Sequence, residues 1–198
     1  VPIEENHPLE PRSPYAAGKV ASDRLMFAYY CSYGLPVVMS RFFGIYGPRQ
    51  SIEKAIPKFI LQIHNKKSPC VYGDGKQKRC FSYIDDAVYC LEKMALDKNI
   101  NKEIINIGPD EENVTISELA EMVANEIGFN GKPLHLSDRP KEVRFATCSA
   151  NKSRKLLNYK TKTSLKEAIK KTTAFIKKRG TKPFKYYLPI EIINDKTP

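Results

Sequence analysis

No stretch of the 198-residue chain approaches the ~18 consecutive apolar positions that a membrane-spanning helix needs. No charged-then-apolar leader opens it, and it does not begin with Met, so Val1 is not expected to be the natural start. Cys31, Cys70, Cys80, Cys90 and Cys148 are scattered, odd in number and never in Cys-x-x-Cys spacing. This favours reduced thiols in a cytoplasmic protein over a disulfide frame or a zinc site. His7, His64 and His135 show no ligand spacing, and no metal is expected. Glycines nowhere fall in Gly-x-Gly-x-x-Gly or Gly-x-x-Gly-x-x-Gly order. The loop that brings a backbone against a pyrophosphate at a helix N-terminus is therefore missing. Internal repeats are absent as well.

What is present is enough for a core, at 41% hydrophobic residues, and a length that suits one ordinary domain with an appendage. The net charge of +11 suggests an anionic partner. Much of it lies late, through Lys166, Lys170, Lys171, Lys177, Lys178, Arg179 and Lys182, where a solvated helix face is the plainer explanation. A nucleic-acid-binding domain is the sharper alternative, but no aromatic-interleaved basic motif or zinc finger supports it. A pyrophosphate-bearing ligand needs only two or three of these charges.

Residues 1–12 read as a Pro- and Glu-rich loop. A helix is expected from about 14 to 33, closed by Gly34 with Pro36 beyond. Val37-Val38-Met39 is a continuous apolar strand of the kind covered on both faces in a parallel sheet. A helix over 53–66 carries Ile56, Ile60 and Ile63 on one side, followed by a strand at Cys70–Tyr72 and a turn at Gly73-Asp74-Gly75. Phe81–Ile84 reads as a strand. Asp85 or Asp86 should cap the next helix, which would pack through Val88, Leu91 and Met94 or Ala95. Glu103–Ile107 reads as a strand ending at Gly108-Pro109. Thr115-Ile116-Ser117-Glu118 is a capping box for a helix that stops at Gly128. Phe145–Cys148 is expected as an edge strand. Ser164-Leu165-Lys166-Glu167 is a second capping box, opening a helix with Leu165, Ile169, Thr172 and Ile176 on one side. No role is assigned to 181–198. Strands alternating with helices indicate an α/β fold.

The first helix holds the chemistry. Ser13 can cap it, Pro14 suits its first position, and Tyr15 and Lys19, four apart, share a face. A phenol normally titrates near ~10. A cation about 4 Å away at an effective dielectric of about 20 is worth roughly 4 kcal/mol, enough to lower it by up to ~3 units. Such a phenol can act as an acid/base near neutral pH. The spacing alone is weak, because Tyr72/Lys76 and Tyr89/Lys93 repeat it. Only the first pair combines a capped helix with small intervening residues that let a substrate approach.

Ser13-Pro14-Tyr15-Ala16-Ala17-Gly18-Lys19 resembles the Tyr-x-x-x-Lys signature of the extended short-chain dehydrogenase/reductases, specifically the NAD-dependent nucleotide-sugar epimerases and dehydratases. Three later segments resemble the same family in the same order: Arg41-Phe42-Phe43-Gly44-Ile45-Tyr46-Gly47-Pro48-Arg49-Gln50, then Val71-Tyr72-Gly73-Asp74-Gly75-Lys76-Gln77-Lys78-Arg79, then Asp138-Arg139-Pro140-Lys141-Glu142-Val143-Arg144. The resemblance covers nearly all of residues 1–180. It implies the C-terminal part of a Rossmann-type parallel sheet plus a small α/β substrate-binding domain, with the N-terminal dinucleotide-binding half missing. Residues 1–50 would be the late nucleotide-binding domain and 51–180 mainly the nucleotide-sugar domain, with strands around 80–108 returning to the main sheet. The fragment alone would bind NAD poorly and turn over little.

In that family NAD takes a hydride from a sugar carbon while a tyrosinate takes the hydroxyl proton, and the 4-keto sugar is then reduced, dehydrated or decarboxylated. The resemblance gives Tyr15 the role of base. Lys19 would depress its pKa and hold the nicotinamide ribose, and Phe42 would lie near the nicotinamide. Arg79 and Arg139 match two phosphate-binding arginines, which suit a diphosphate better than Lys. Cys70, Val71 and Tyr72 match the segment flanking the nucleotide base. Lys54 and Ala55 match substrate positions of a dehydratase-like Glu-Lys-x-Ile-Pro. Asn106 would reach the ligand, and Glu142 would pair with Arg139 or touch the ribose. Gly44 stands at a substrate-binding position where the family usually has Asn, so that hydrogen bond is not carried over, and Cys80 replaces a usual Asp.

The reading favoured by these residues is a nucleotide-sugar epimerase acting on a UDP- or dTDP-sugar and pairing as a homodimer through the tyrosine helix. A 4,6-dehydratase or decarboxylase, or a non-catalytic nucleotide-sugar-binding module, are the alternatives.

Overall fold

The computed structural model describes residues 2–11, 13–139 and 142–179. The tail from 180 onward, including Lys182, lies outside them. The chain divides into two compact units. Unit 1 comprises 1–45, 80–113 and 146–162; unit 2 comprises 46–79, 114–145 and the residues from Thr163 onward.

In unit 1, α1 (Pro14–Tyr33) starts as the sequence predicts. Ser13 is extended and its hydroxyl accepts from the Ala16 amide, and Gly34 closes the helix in the left-handed conformation. Strand β1 (Val38–Phe42) pairs in parallel with β4 (Glu103–Ile107), from Val38 opposite Glu103 to Phe42 opposite Ile107. The expected apolar strand is thus real but runs on through Arg41 and Phe42. Helices α3 (Ile84–Leu96) and α5 (Asn151–Leu157) cover this pair. The core joins Ala87, Cys90, Ile100, Ile105, Ile107, Ala150, Leu157 and Tyr159.

Two expectations fail at α3. Phe81–Ile84 is not a strand; β3 is Lys78–Cys80, and α3 begins at Ile84 after Tyr83, with Asp85 and Asp86 inside its first turn rather than capping it. Asp86 is instead buried and accepts from the Lys162 amide. The buried face is also displaced by one residue. Ala87 and Cys90 face the core and Met94 packs against it as expected, whereas Val88 and Leu91 are about half exposed. The small side chains let the helix approach Ile105 and Ile107, and close approach outweighs side-chain size in choosing the face.

The N-terminal segment is stitched to unit 1. Ile3 bridges Cys148, the Asn106 amide donates to the Ile3 carbonyl at 3.0 Å, and Arg41 donates to the Glu5 carbonyl and to Asp23 of α1.

Unit 2 packs α2 (Ala55–His64), α4 (Ile116–Ile127) and α6 (Leu165–Arg179) against one another. Ile56, Phe59, Ile60, Ile63, Leu119, Ala120, Val123, Leu165, Ala168 and Ile169 are buried there. The Thr115–Glu118 capping box forms in both directions, and Gly128 ends α4 in the left-handed region. At Ser164 the hydroxyl accepts from the Glu167 amide, while Glu167 itself pairs with Lys171. Strand β2 (Cys70–Tyr72) pairs in parallel with β6 (Leu134–Leu136). A three-stranded sheet has β3 between β5 (Asn113–Thr115) and β7 (Phe145–Ala146), so the latter is an edge strand as expected, though shorter. All five cysteines are free, and among the described residues no helix is long and apolar enough to cross a membrane.

Candidate functional site

The expected site residues fall into one group in each unit. In unit 1, Tyr15 and Lys19 share a face of α1, with the Lys19 ammonium 5.7 Å from the Tyr15 ring centroid. The stacking follows from the four-residue spacing, and Tyr89 and Lys93 on α3 reproduce it at 5.9 Å. Tyr72 and Lys76 do not; the lysine over the Tyr72 ring is Lys58, at 5.6 Å.

The pair on α1 is not buried. Tyr15 is 75% exposed and no residue of α1 is buried. The reason is local: Tyr15 sits in the first turn, and α1 is tied to unit 1 only further along, by the Asp23–Arg41 ion pair at 2.8 Å and by Lys102 lying over Phe27 and Tyr30.

Phe42 ends β1 and is 41% exposed. Gly44 has φ +51, and a Cβ there would collide with the Cys80 carbonyl oxygen. The residue that departs from the family pattern is thus dictated by the close approach of two backbone segments. Its contribution to any ligand is main-chain only. Asn106 is 1% exposed, with its side-chain amide committed to Ile3 and its backbone N–H to Glu5. These two bonds brace the N-terminal segment, while the buried side-chain oxygen of Asn106 has no partner among the described residues.

In unit 2 the grouping is tighter. The Arg139 guanidinium lies 3.9 Å from the Tyr72 ring centroid. The Tyr72 phenol is held below its ordinary range, chiefly by a hydrogen bond from Arg139 and then by the charge of Lys58. Arg79 donates to Glu142 at 2.7 Å and to the Lys78 carbonyl. Glu142 therefore pairs with Arg79, not with Arg139 as expected. The Glu142 amide donates to the Arg139 carbonyl, and the two side chains meet different partners. Val71 is fully buried between Cys70 and Tyr72, as alternation along a strand requires, so only its backbone could meet a ligand. Lys54 precedes α2 and Ala55 opens it, one turn before Lys58.

The sequence reading missed Lys58, His135 and Arg144. His135 hydrogen-bonds the Gly73 carbonyl at 2.7 Å. Arg144 reaches Asp74 at 2.7 Å, and Asp74 is held below the usual carboxylate range by the Lys76 amide and then by Arg144. Lys58 was signalled by its four-residue spacing from Lys54; the other two are contacts distant in sequence. A cavity of about 650 Å³ in unit 2, lined by Arg49, Phe175, Lys178 and Arg179, includes none of the expected site residues. Among the described residues no cluster of His, Cys, Asp or Glu could hold a metal ion.

The parallel α/β fold, the Tyr-x-x-x-Lys helix and the ordered arginine segments define the extended short-chain dehydrogenase/reductase class. Within it, residues 1–172 match the family model described as GDP-mannose 4,6 dehydratase, and the chain belongs to that family. It is 34% identical over 167 residues to a UDP-glucuronate 4-epimerase of Thermodesulfobacterium geofontis, covering 84% of this chain and 51% of that protein. It is 33% identical over 185 residues to a mouse dTDP-D-glucose 4,6-dehydratase, covering 89% and 51%. The Bacillus cereus UDP-glucuronic acid 4-epimerase, solved with UDP-glucuronic acid and NAD, superposes with a TM-score of 0.85 at 30% identity over 90% of this chain and 57% of that one. The chain spans about half the length of the curated relatives it matches.

Proposed function

We propose that this chain supplies the proton-transfer and nucleotide-recognition parts of an NAD-dependent nucleotide-sugar 4-epimerase. The observation that carries the reading is the stacking of Lys19 on Tyr15 on one open face of a capped helix. Tyr15 takes the proton of the sugar C4 hydroxyl and later returns it, while the Lys19 ammonium stabilises the phenolate so formed. Tyr15 and Lys19 would hold the nicotinamide-ribose end of NAD, with Phe42 near its ring; the exposure of all three is compatible with that role. When bound, NAD would supply the reversible hydride acceptor for the sugar carbon. The pyrophosphate of NAD has no glycine-rich loop in these 198 residues. In unit 2, Arg79 and Arg139 recognise the substrate diphosphate, and the main chain of Cys70–Tyr72 flanks the nucleotide.

A 4,6-dehydratase or decarboxylase is the second reading, favoured by the Glu53-Lys54-Ala55-Ile56-Pro57 segment and by the dehydratase relative. Assay of the whole protein with NAD and UDP-glucuronic acid or dTDP-glucose separates the two through the product, a C4 epimer or a 4-keto-6-deoxy sugar. Tyr15→Phe should lower turnover by about 10²–10⁴-fold and leave nucleotide-sugar affinity within about threefold. Full activity of that variant would reject Tyr15 as the base.

A further inference from the structure

We infer that Tyr72 is a positioning residue for Arg139, and that Arg139 rather than Arg79 provides the principal positive charge for the substrate diphosphate. The inference rests on the reading that unit 2 recognises a nucleoside diphosphate. Its basis is how the two arginines are held. Arg79 is neutralised by Glu142 at 2.7 Å, so a phosphate arriving there must compete with a carboxylate already in place. Among the described residues Arg139 makes no ion pair; its guanidinium is stacked 3.9 Å from the Tyr72 ring centroid. Lys58 adds a second cation 5.6 Å from that same ring. Two positive groups gathered on one ring favour an anion beside them.

The arrangement is built into the backbone. Tyr72 and Leu136 are register partners at the ends of β2 and β6, which brings the chain after Leu136 alongside the turn after Tyr72. The Gly73 amide donates to the Leu136 carbonyl, and His135 bonds the Gly73 carbonyl. Gly73 has φ +64, and any Cβ on it would strike the Asp138 carboxylate. A residue without a side chain leaves that space to the Asp138 carboxylate. The Tyr72 carbonyl accepts from Gln77, which pins the residue at its other end. Tyr72 thus fixes a planar guanidinium before any ligand arrives, which lowers the ordering cost of binding.

The test is calorimetric titration of this chain with UDP, and with uridine as the phosphate-free control. Tyr72→Leu should weaken UDP binding on the order of 10-fold, whereas Tyr72→Phe, which keeps the ring, should stay within about threefold. In an Arg139→Ala background, Tyr72→Leu should have no further effect, because its action passes through Arg139. Uridine affinity should be unchanged throughout, and Arg139→Ala should cost more UDP affinity than Arg79→Ala. Losses that add in the double variant, or a fall in uridine affinity on Tyr72→Leu equal to the fall in UDP affinity, would make Tyr72 a direct nucleotide contact and overturn the inference. Should Tyr72→Leu misfold by circular dichroism, alkaline absorbance titration decides: Arg139→Gln should raise the Tyr72 phenol ionisation, and an unmoved titration overturns the coupling. A folded wild-type chain that binds neither UDP nor dTDP removes the nucleotide reading of unit 2 itself, and this inference with it.

Discussion

Helices α1 and α4 are specified in the same way yet sit in opposite surroundings. Each has a hydroxyl residue accepting at its N-cap, Ser13 or Thr115, and each ends on a left-handed glycine, Gly34 or Gly128. But α4 buries Leu119, Ala120, Val123 and Ala124 between α2 and α6, whereas the 20 residues of α1 bury none. Local chemistry decides where a helix starts and stops; neighbouring elements decide whether it has an inside. The same contrast separates the two candidate groups. Tyr72, Arg139, Arg79 and Glu142 are fixed by contacts within unit 2, while Tyr15 and Lys19 stand on the open helix.

The largest expected effect sharpens this contrast directly. Leu119→Ala should cost about 2–5 kcal/mol through the cavity it leaves, while Leu25→Ala on α1, where the side chain is 57% exposed, should stay within about 0.5 kcal/mol. Urea unfolding of this chain measures both, and equal losses would mean that α1 has a packed face after all. Gly44→Asn, which restores the residue usual in the family, should destabilise unit 1 by about 1–3 kcal/mol, because the Cys80 backbone must move. An Asn tolerated at no cost would show that the loop is pliable.

The smallest effect is one of pH. Asp110 accepts from Arg154 and from the Ala150 amide, and these contacts hold its pKa at about 2 against an ordinary 3.8. A depressed carboxylate stabilises the fold above its unfolded value and loses that contribution as pH falls through the folded one. Unfolding midpoints should therefore drop between about pH 4 and 2, and Arg154→Ala should flatten much of that slope. An unchanged slope would remove the Arg154 contact as its cause.

Most of what the sequence disclosed was punctuation. Ser13, Gly34, Thr115 with Glu118, and Gly128 were legible because a cap is a one-residue event with a fixed partner a few positions away. Strand Glu103–Ile107 was legible from its length and apolar run. Strands β3, β5 and β6 were not, since Lys78–Cys80 and Asn113–Thr115 are short and largely polar, unlike Cys70–Tyr72, and Leu134–Leu136 is exposed throughout. Helix α5 was missed because it has no side-chain cap and buries only Ser153 and Leu157. On α3 two adjacent faces share the same spacing, and only the third dimension selects Ala87 and Cys90. Within the site, Tyr15 and Lys19 could be paired from spacing alone, but the exchange that gives Glu142 to Arg79 and Tyr72 to Arg139 depends on the β2–β6 register, which no local pattern encodes.

The Ser13 hydroxyl has a further consequence. A helix with no buried residue unwinds first at its ends, and Tyr15 is only the second residue of α1. How often Tyr15 and Lys19 are found on a common face is then a matter of fraying, opposed at this end by Ser13, which accepts from the Ala16 amide on its hydroxyl at 3.2 Å and from the Ala17 amide on its carbonyl at 2.9 Å.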